Sequence, residues 1–193
     1  MSAPTLLLET DSAGPILDDD ARIMLEVAAG RSERFAEIVA RHQSPLFRVA
    51  MSRLGNRALA EEAVQETFLS AFRYRTSFQS GRPFRPWLWT IHKNVCDGCA
   101  RKERQSKSRA EHRAESISID RTADRLFVRE LLERLPTEQA DAIRLRFFGS
   151  LTYEEIGTVQ DCPTPTAKNR VRYALQKLSS LMDEAESKSE RRT

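Results

Sequence analysis

The sequence predicts an all-α fold: two small helical domains joined by a flexible linker, the C-terminal one carrying a helix-turn-helix. Three observations predict it. Apolar residues recur at three- and four-residue spacing over most of the chain, and no stretch alternates convincingly as a half-buried strand would. The 193 residues, 40% hydrophobic and 31% charged, suffice for one medium core or two small ones. The periodicity lapses in the middle, where Arg101 to Arg121 reads polar, charged and aperiodic. The division expected is then a flexible tail at 1–17, a first unit at 18–104, a linker at 105–123, a second unit at 124–184 and a flexible, charged tail at 185–193.

From Asp18, acidic residues lead a helix with Ile23 and Val27 inward, followed by one with Phe35, Ile38 and Val39 inward; Gly30 and Gly55 mark stops. "ALAEEAVQETFLSAFRYR" puts Leu59, Ala63, Phe68 and Phe72 on one side, acidic in its first half and basic in its second. Gly81, Pro83 and Pro86 force a loop in "TSFQSGRPFRP", and "WLWTIHKNVCDGCARK" resumes as a helix with Leu88, Ile91 and Val95 inward. Gly98 costs that helix about 1 kcal/mol relative to Ala and predicts an early end. Past the linker, Pro136 and Gly149 are breaks. Thr152 and Glu155 form a capping box, with Leu151 placed to staple onto Ile156. Pro163 and Pro165 stop this short helix, and Thr164 with Pro165 offers the cap and first position of the next. Two helices on a tight turn are the helix-turn-helix outline.

Lys plus Arg exceed Asp plus Glu by only three, so a nucleic-acid partner requires that the basic residues be segregated. They are. From Cys162 to Met182 there is no acid; Ala167, Val171, Ala174 or Leu175, and Leu178 turn inward, leaving Lys168, Asn169, Arg172, Tyr173 and Gln176 outward. A helix in the major groove needs donors for base edges, cations for phosphates and no carboxylate facing the backbone. A solvated basic face is the plainer reading, and the capped helix ahead of it tips the choice toward DNA. A second acid-free window runs from Thr67 to Cys96, interleaving Arg73, Arg75, Arg82, Arg85 and Lys93 with seven aromatics. Cations that track a backbone and aromatics that stack unpaired bases suit single-stranded DNA. Phe68, Phe72 and Trp87 are assigned to packing; Phe78 and Phe84, in or beside a Gly/Pro loop, are less suited to core duty.

With these motifs in this order, the chain resembles the extracytoplasmic-function sigma factors of the sigma-70 family over roughly residues 18 to 182. The resemblance rests on "LEVAAGRSERFAEIVARH", "AEEAVQETFLSAFR", "FRPWLWTIHKNVCDGCARK", "RLPTEQADAIRLRFFGSLTYEEIG" and "PTPTAKNRVRYAL". It implies a non-catalytic factor that binds core RNA polymerase and directs initiation by reading −35 duplex and melted −10 DNA. Glu62, Gln65, Glu66 and Phe68 match the contact to the β′ clamp helices, and residues around Leu131 to Phe148 match the surface for the β flap. The loop from Ser77 to Phe84 matches the element that captures a flipped −10 base, with Phe78, Arg82, Phe84, Arg85, Lys93 and Asn94 as −10 candidates. Thr166, Lys168, Asn169, Arg170 and Arg172 match the −35 reading positions, Arg172 as base reader and Arg170 as phosphate clamp. The linker resembles the segment that family members thread toward the polymerase active centre and RNA exit channel. Sequestration by an anti-sigma factor is a further family expectation. The chain departs from the family at Gln160–Asp161, where Leu-Gly is usual and a looser turn is expected, and at Pro165 and Asn169, which replace a common glycine and serine.

His92, Cys96 and Cys99 fall on one helical face, with a spacing similar to that of zinc-binding anti-sigma factors. His42, His112 and Cys162 are the similar residues from which a fourth ligand would have to come. The plainer reading has the cysteines as small semi-buried helix residues and His92 as a phosphate donor, and it is preferred; no metal or cofactor is predicted. Three cysteines without framework spacing suit a reducing cytoplasm, and the N-terminus lacks a signal peptide or span, so a soluble cytoplasmic protein without membrane insertion is expected. The alternatives are a stand-alone helix-turn-helix regulator, which leaves the aromatic window unexplained, and a zinc-dependent anti-sigma-like protein, which ignores the recognition helix.

Overall fold

Asp18 starts the fold and ties two helices together. In the structure, a computed structural model describing residues 18–109 and 123–190, its carboxylate accepts the Ala21 amide at 2.5 Å, capping α1 (Asp19–Ala28). Its other oxygen accepts the Phe84 amide at 3.1 Å, at the start of α4 (Phe84–Arg109). Between them lie α2 (Phe35–Leu54), which runs through Pro45, and α3 (Arg57–Arg73), capped by Asn56. Gly30 and Gly55 take positive φ at the ends of α1 and α2, as the sequence predicts. The predicted tail at 1–17, His112 and the central part of the linker, 110–122, lie outside the described residues.

The second unit comprises α5 (Ala123–Glu133), α6 (Thr137–Ile143), a π-turn over Arg144–Phe148, α7 (Tyr153–Val159) and α8 (Thr164–Glu190). The described residues contain no strand. Thr152 and Glu155 close both bonds of the capping box, at 3.2 and 2.7 Å. α8 begins one residue earlier than predicted, because the Pro163 carbonyl accepts the amides of Thr166 and Ala167. Two other expectations are corrected. α4 passes through Gly98 and continues to Arg109, into the stretch read as linker. Glycine's cost in a helix is small beside the burial of Leu88, Trp89 and Cys96 on that same helix.

The units pack on each other. α4 lies against α7 and α2 against the π-turn, so Ile23, Leu46, Phe84 and Trp89 of the first unit share one apolar cluster with Leu145, Leu151, Ile156 and Val171 of the second. Gly149 is where they come closest: a Cβ there would lie 2.9 Å from Trp89 Cη2 and 2.8 Å from the Leu145 carbonyl oxygen. Charged groups, several of them buried, lie within the contact. Arg53 pairs with Asp97 on α4 and, at 3.2 Å, with Asp141 on α6; Asp141 also holds Arg144 at 3.1 Å. Arg144 reaches back to Ser52 Oγ at 3.4 Å, and Arg48 donates to the Phe148 carbonyl at 3.3 Å.

Candidate nucleic-acid interface

The inner stripe of α8 is Ala167, Val171, Ala174 and Leu181, all buried; Leu175 is exposed, which settles the open choice in favour of Ala174. Thr166, Lys168, Asn169, Arg172, Tyr173 and Gln176 face solvent. Among the described residues no carboxylate pairs with Lys168 or Arg172. One turn apart, they form a basic ridge, and Arg172 is steadied over the Tyr173 ring, 4.8 Å from its centroid.

Arg170 behaves differently. It is half-buried and donates to Gln160 Oε1 at 2.9 Å and Cys162 Sγ at 3.3 Å, while Gln160 reaches the Glu138 carbonyl at 2.9 Å. The guanidinium thus ties the turn between α7 and α8 to α6. That turn is tight, not loose: Asp161 adopts φ 49°, and a Cβ on Gly157 would meet the Cys162 carbonyl at 2.7 Å. The residues that replace the family's Leu-Gly therefore build a closed turn.

In the first unit the acid-free window divides. Arg82 and Asn94 are exposed, and Lys93 lies 2.9 Å from Asp97. Phe78 and Phe84, read as less suited to core duty, are buried at 5% and 0% exposure. They stack edge-on at 5.8 Å, and each lies within 6 Å of Trp87, at 5.2 and 5.7 Å. The loop returns its aromatics to the core because leaving both in water would forfeit about 1.5–3 kcal/mol each. What it presents to solvent is the polar tip Gln79–Pro83, with these rings as its floor. Phe68, also buried, and the half-buried Phe72 and Trp87 pack as assigned. Arg85 is engaged by the second unit: it donates to the carbonyls of Gly149 (3.2 Å) and Ser150 (3.1 Å) and pairs with Glu155 at 3.3 Å.

On the outer side, α2 and α3 enclose an apolar groove of about 740 Å³ whose walls include Phe35, Phe47, Gln65, Phe68 and Phe72. Glu62 is exposed nearby, and Glu66 accepts from Ser70 at 3.1 Å. Leu69, 52% exposed on the same groove, was not singled out in the sequence; its signal is an apolar residue standing off the inner stripe of α3.

His92 cannot donate to phosphate. It is 1% exposed, 2.9 Å from Thr67 Oγ1 and 3.6 Å from Cys96 Sγ. Burial, assisted by the Arg53 cation, pulls its imidazole down to about 4, so it is neutral near pH 7. Burial pushes the Cys96 thiol up to about 12, and Cys99, half-buried, is also raised by burial. A protonated thiol is a poor nucleophile and a poor metal ligand.

The Sigma-70 region 2 family matches residues 38–105, and Sigma-70 region 4 matches residues 131–180. The chain is 34% identical over 138 residues to the ECF RNA polymerase sigma factor EcfG of Rhodopseudomonas palustris, covering 69% of this chain and 76% of that protein. It is 28% identical over 163 residues to the RNA polymerase sigma factor CarQ of Myxococcus xanthus, covering 81% and 94%. Among solved structures it is similar to CnrH in complex with the cytosolic domain of CnrY, with TM-score 0.70, 26% identity and 86% and 97% of the two chains covered. It is also similar to the sigma factor RpoE in complex with the anti-sigma factor NepR from Bartonella quintana, with TM-score 0.65, 27% identity and coverage of 77% and 96%.

Proposed function

The chain belongs to the extracytoplasmic-function group of sigma-70-family RNA polymerase sigma factors, and from that premise we propose how its residues share the work. As a sigma factor it recognises promoters for RNA polymerase. α8 reads the −35 element, with Arg172 and Asn169 at base edges and Thr166 and Lys168 on the backbone. Arg170 acts from behind, holding the turn that aims the helix. The observation that carries this reading is the basic ridge of Lys168 and Arg172, which has no carboxylate partner among the described residues, on a helix preceded by a closed capping box.

The loop tip at 79–83, with Arg82, Arg85, Lys93 and Asn94 around it, takes the melted −10 strand. Phe78 and Phe84 support that loop from beneath and stack on a base only if the tip opens. Unstacking costs a few kcal/mol, which aromatic and cationic contacts offset. The groove between α2 and α3, with Glu62, Gln65, Glu66, Phe68 and the added Leu69, docks on the β′ clamp helices, and the segment from Leu131 to Phe148 meets the β flap. RNA synthesis belongs to the polymerase; this chain supplies no catalytic group. Two structural relatives are recorded in complexes, one with an anti-sigma factor, and we extend such a partner to this chain. Among the described residues no helix is long and apolar enough to cross a membrane, and a cytoplasmic site of action is part of the same proposal.

Footprinting on a promoter obtained with core polymerase tests the assignment. Protection near −35 is expected with wild type and lost with Arg172→Ala, while Arg82→Ala weakens strand opening near −10 and leaves −35 protection in place. Unchanged footprints in both variants would reject it.

A further inference from the structure

We propose that Asp18 is a positioning residue for the −10 strand: by bridging the starts of α1 and α4 it sets where the 79–83 loop stands. This deepens the −10 reading proposed above and rests on it. The start of α4 has no cap of its own. Pro83, which precedes it, carries no side-chain acceptor, and Pro86 in its first turn has no backbone donor. The cap comes instead from 66 residues away. One Asp18 oxygen accepts the Phe84 amide at 3.1 Å while the other accepts the Ala21 amide at the head of α1. A single carboxylate thus serves two helix N-termini, both of which favour negative charge. A side chain with one acceptor oxygen serves α1 alone.

The loop depends on its stems. Inside the tip, the one backbone hydrogen bond among the described residues runs from the Arg82 amide to the Gln79 carbonyl at 3.3 Å. Gly81 holds φ 84°, and a Cβ built on it would meet nothing within 4 Å. The N-terminal stem is Phe78, seated on Phe84 and Trp87. The C-terminal stem is Phe84, held at the ring by His42, 5.7 Å between centroids, and at the amide by Asp18. His42 is itself fixed by Asp20 at 2.7 Å, so α1 grips this stem twice, once directly and once through α2. Arg82, a −10 candidate, stands two residues from the Asp18 bond. Asp18 is exposed, so removing its carboxylate empties no core; what changes is how firmly the start of α4 is tied to α1.

The test uses the full chain, free and assembled with core polymerase. Asp18→Ser keeps a hydroxyl that caps α1, and Asp18→Asn keeps the length and the stronger cap; each presents one acceptor oxygen where Asp18 presents two. In the free variants, amide exchange followed by NMR should leave Ala21 protected as in wild type and let Phe84 exchange about tenfold faster. If Ser weakens α1, the Asn variant carries the test. With holoenzyme and 2-aminopurine placed in the −10 element, strand opening should slow about fivefold, the worth of one hydrogen bond, while the concentration that half-protects the −35 element stays within about twofold. A merely structural role would move both. Arg82→Ala, measured alongside, separates this proposal from the −10 reading. If Arg82→Ala slows opening and neither Asp18 variant does, the positioning role is overturned and the −10 reading stands. If none of the three slows it, the −10 reading falls and takes the positioning role with it. Phe84 protection unchanged in both Asp18 variants would overturn the bridge itself.

Discussion

The two basic surfaces of this protein are built on opposite terms. On α8 the cations are displayed: Lys168 and Arg172 stand on an acid-free face, and the buried stripe beneath them is made of small residues that only seat the helix. Around the start of α4 the cations and rings are already committed. Arg85 is bound to the second unit, Lys93 to Asp97, and Phe78 and Phe84 to the core. In the proposed reading the first surface meets duplex DNA as it stands, and the second rearranges before it meets a strand. Duplex reading fits a preformed ridge, whereas capturing an unpaired base requires a pocket that opens.

The contrast is broken most severely at Phe84. Phe84→Ala removes a fully buried ring from the junction of α1, α4 and the loop, and should cost about 3–5 kcal/mol of unfolding free energy in urea denaturation. A loss below 1 kcal/mol would mean that the ring is a surface element after all. Next comes Arg172→Ala on the displayed surface. It should leave the urea midpoint in place and cost about 1–3 kcal/mol of discrimination at one −35 base pair, read by competition binding of holoenzyme to promoter variants.

His92 sharpens the comparison through pH. Its folded value, about 4, lies below the ordinary 6.5, so the unfolded chain binds more protons between these values and stability rises with pH across that window. The His92 contribution is fully present above about pH 6.5 and is lost as pH falls toward 4. His92→Gln should flatten that part of the stability curve, and a flat wild-type curve there would place the imidazole in water. The smallest effect is expected at Gly98, where a Cβ meets nothing within 4 Å. Gly98→Ala should stabilise the protein by up to about 1 kcal/mol and raise the melting temperature by a few degrees.

What could be read in advance follows from the range of the interaction. The caps, glycine stops, short α7 and inner stripe of α8 are local, set by residues within a turn or two of each other, and the sequence displays them. The outward set on α8 was legible because an amphipathic helix has one inner face. Arg170 was not, because its partners Gln160 and Cys162 lie across a turn whose tightness depends on Gly157. The fate of Phe78, Phe84 and His92 was hidden for the same reason: a loop aromatic or a helix histidine meets water or core according to what packs over it, here Asp18, His42, Thr67 and Trp87. Gly98 and the length of α4 show tertiary packing overriding a propensity. The contacts between the units were least legible of all, since Arg53 finds Asp141 and Arg85 finds Glu155 only after two units form and meet.

Run-off transcription from fragmented genomic DNA with core RNA polymerase, with and without this protein, followed by sequencing of the transcript starts, tests the central claim most directly. New starts that share two spaced upstream elements are expected, and they should vanish with Lys168→Ala/Arg172→Ala. A protein that neither associates with core polymerase nor changes its starts would contradict the account.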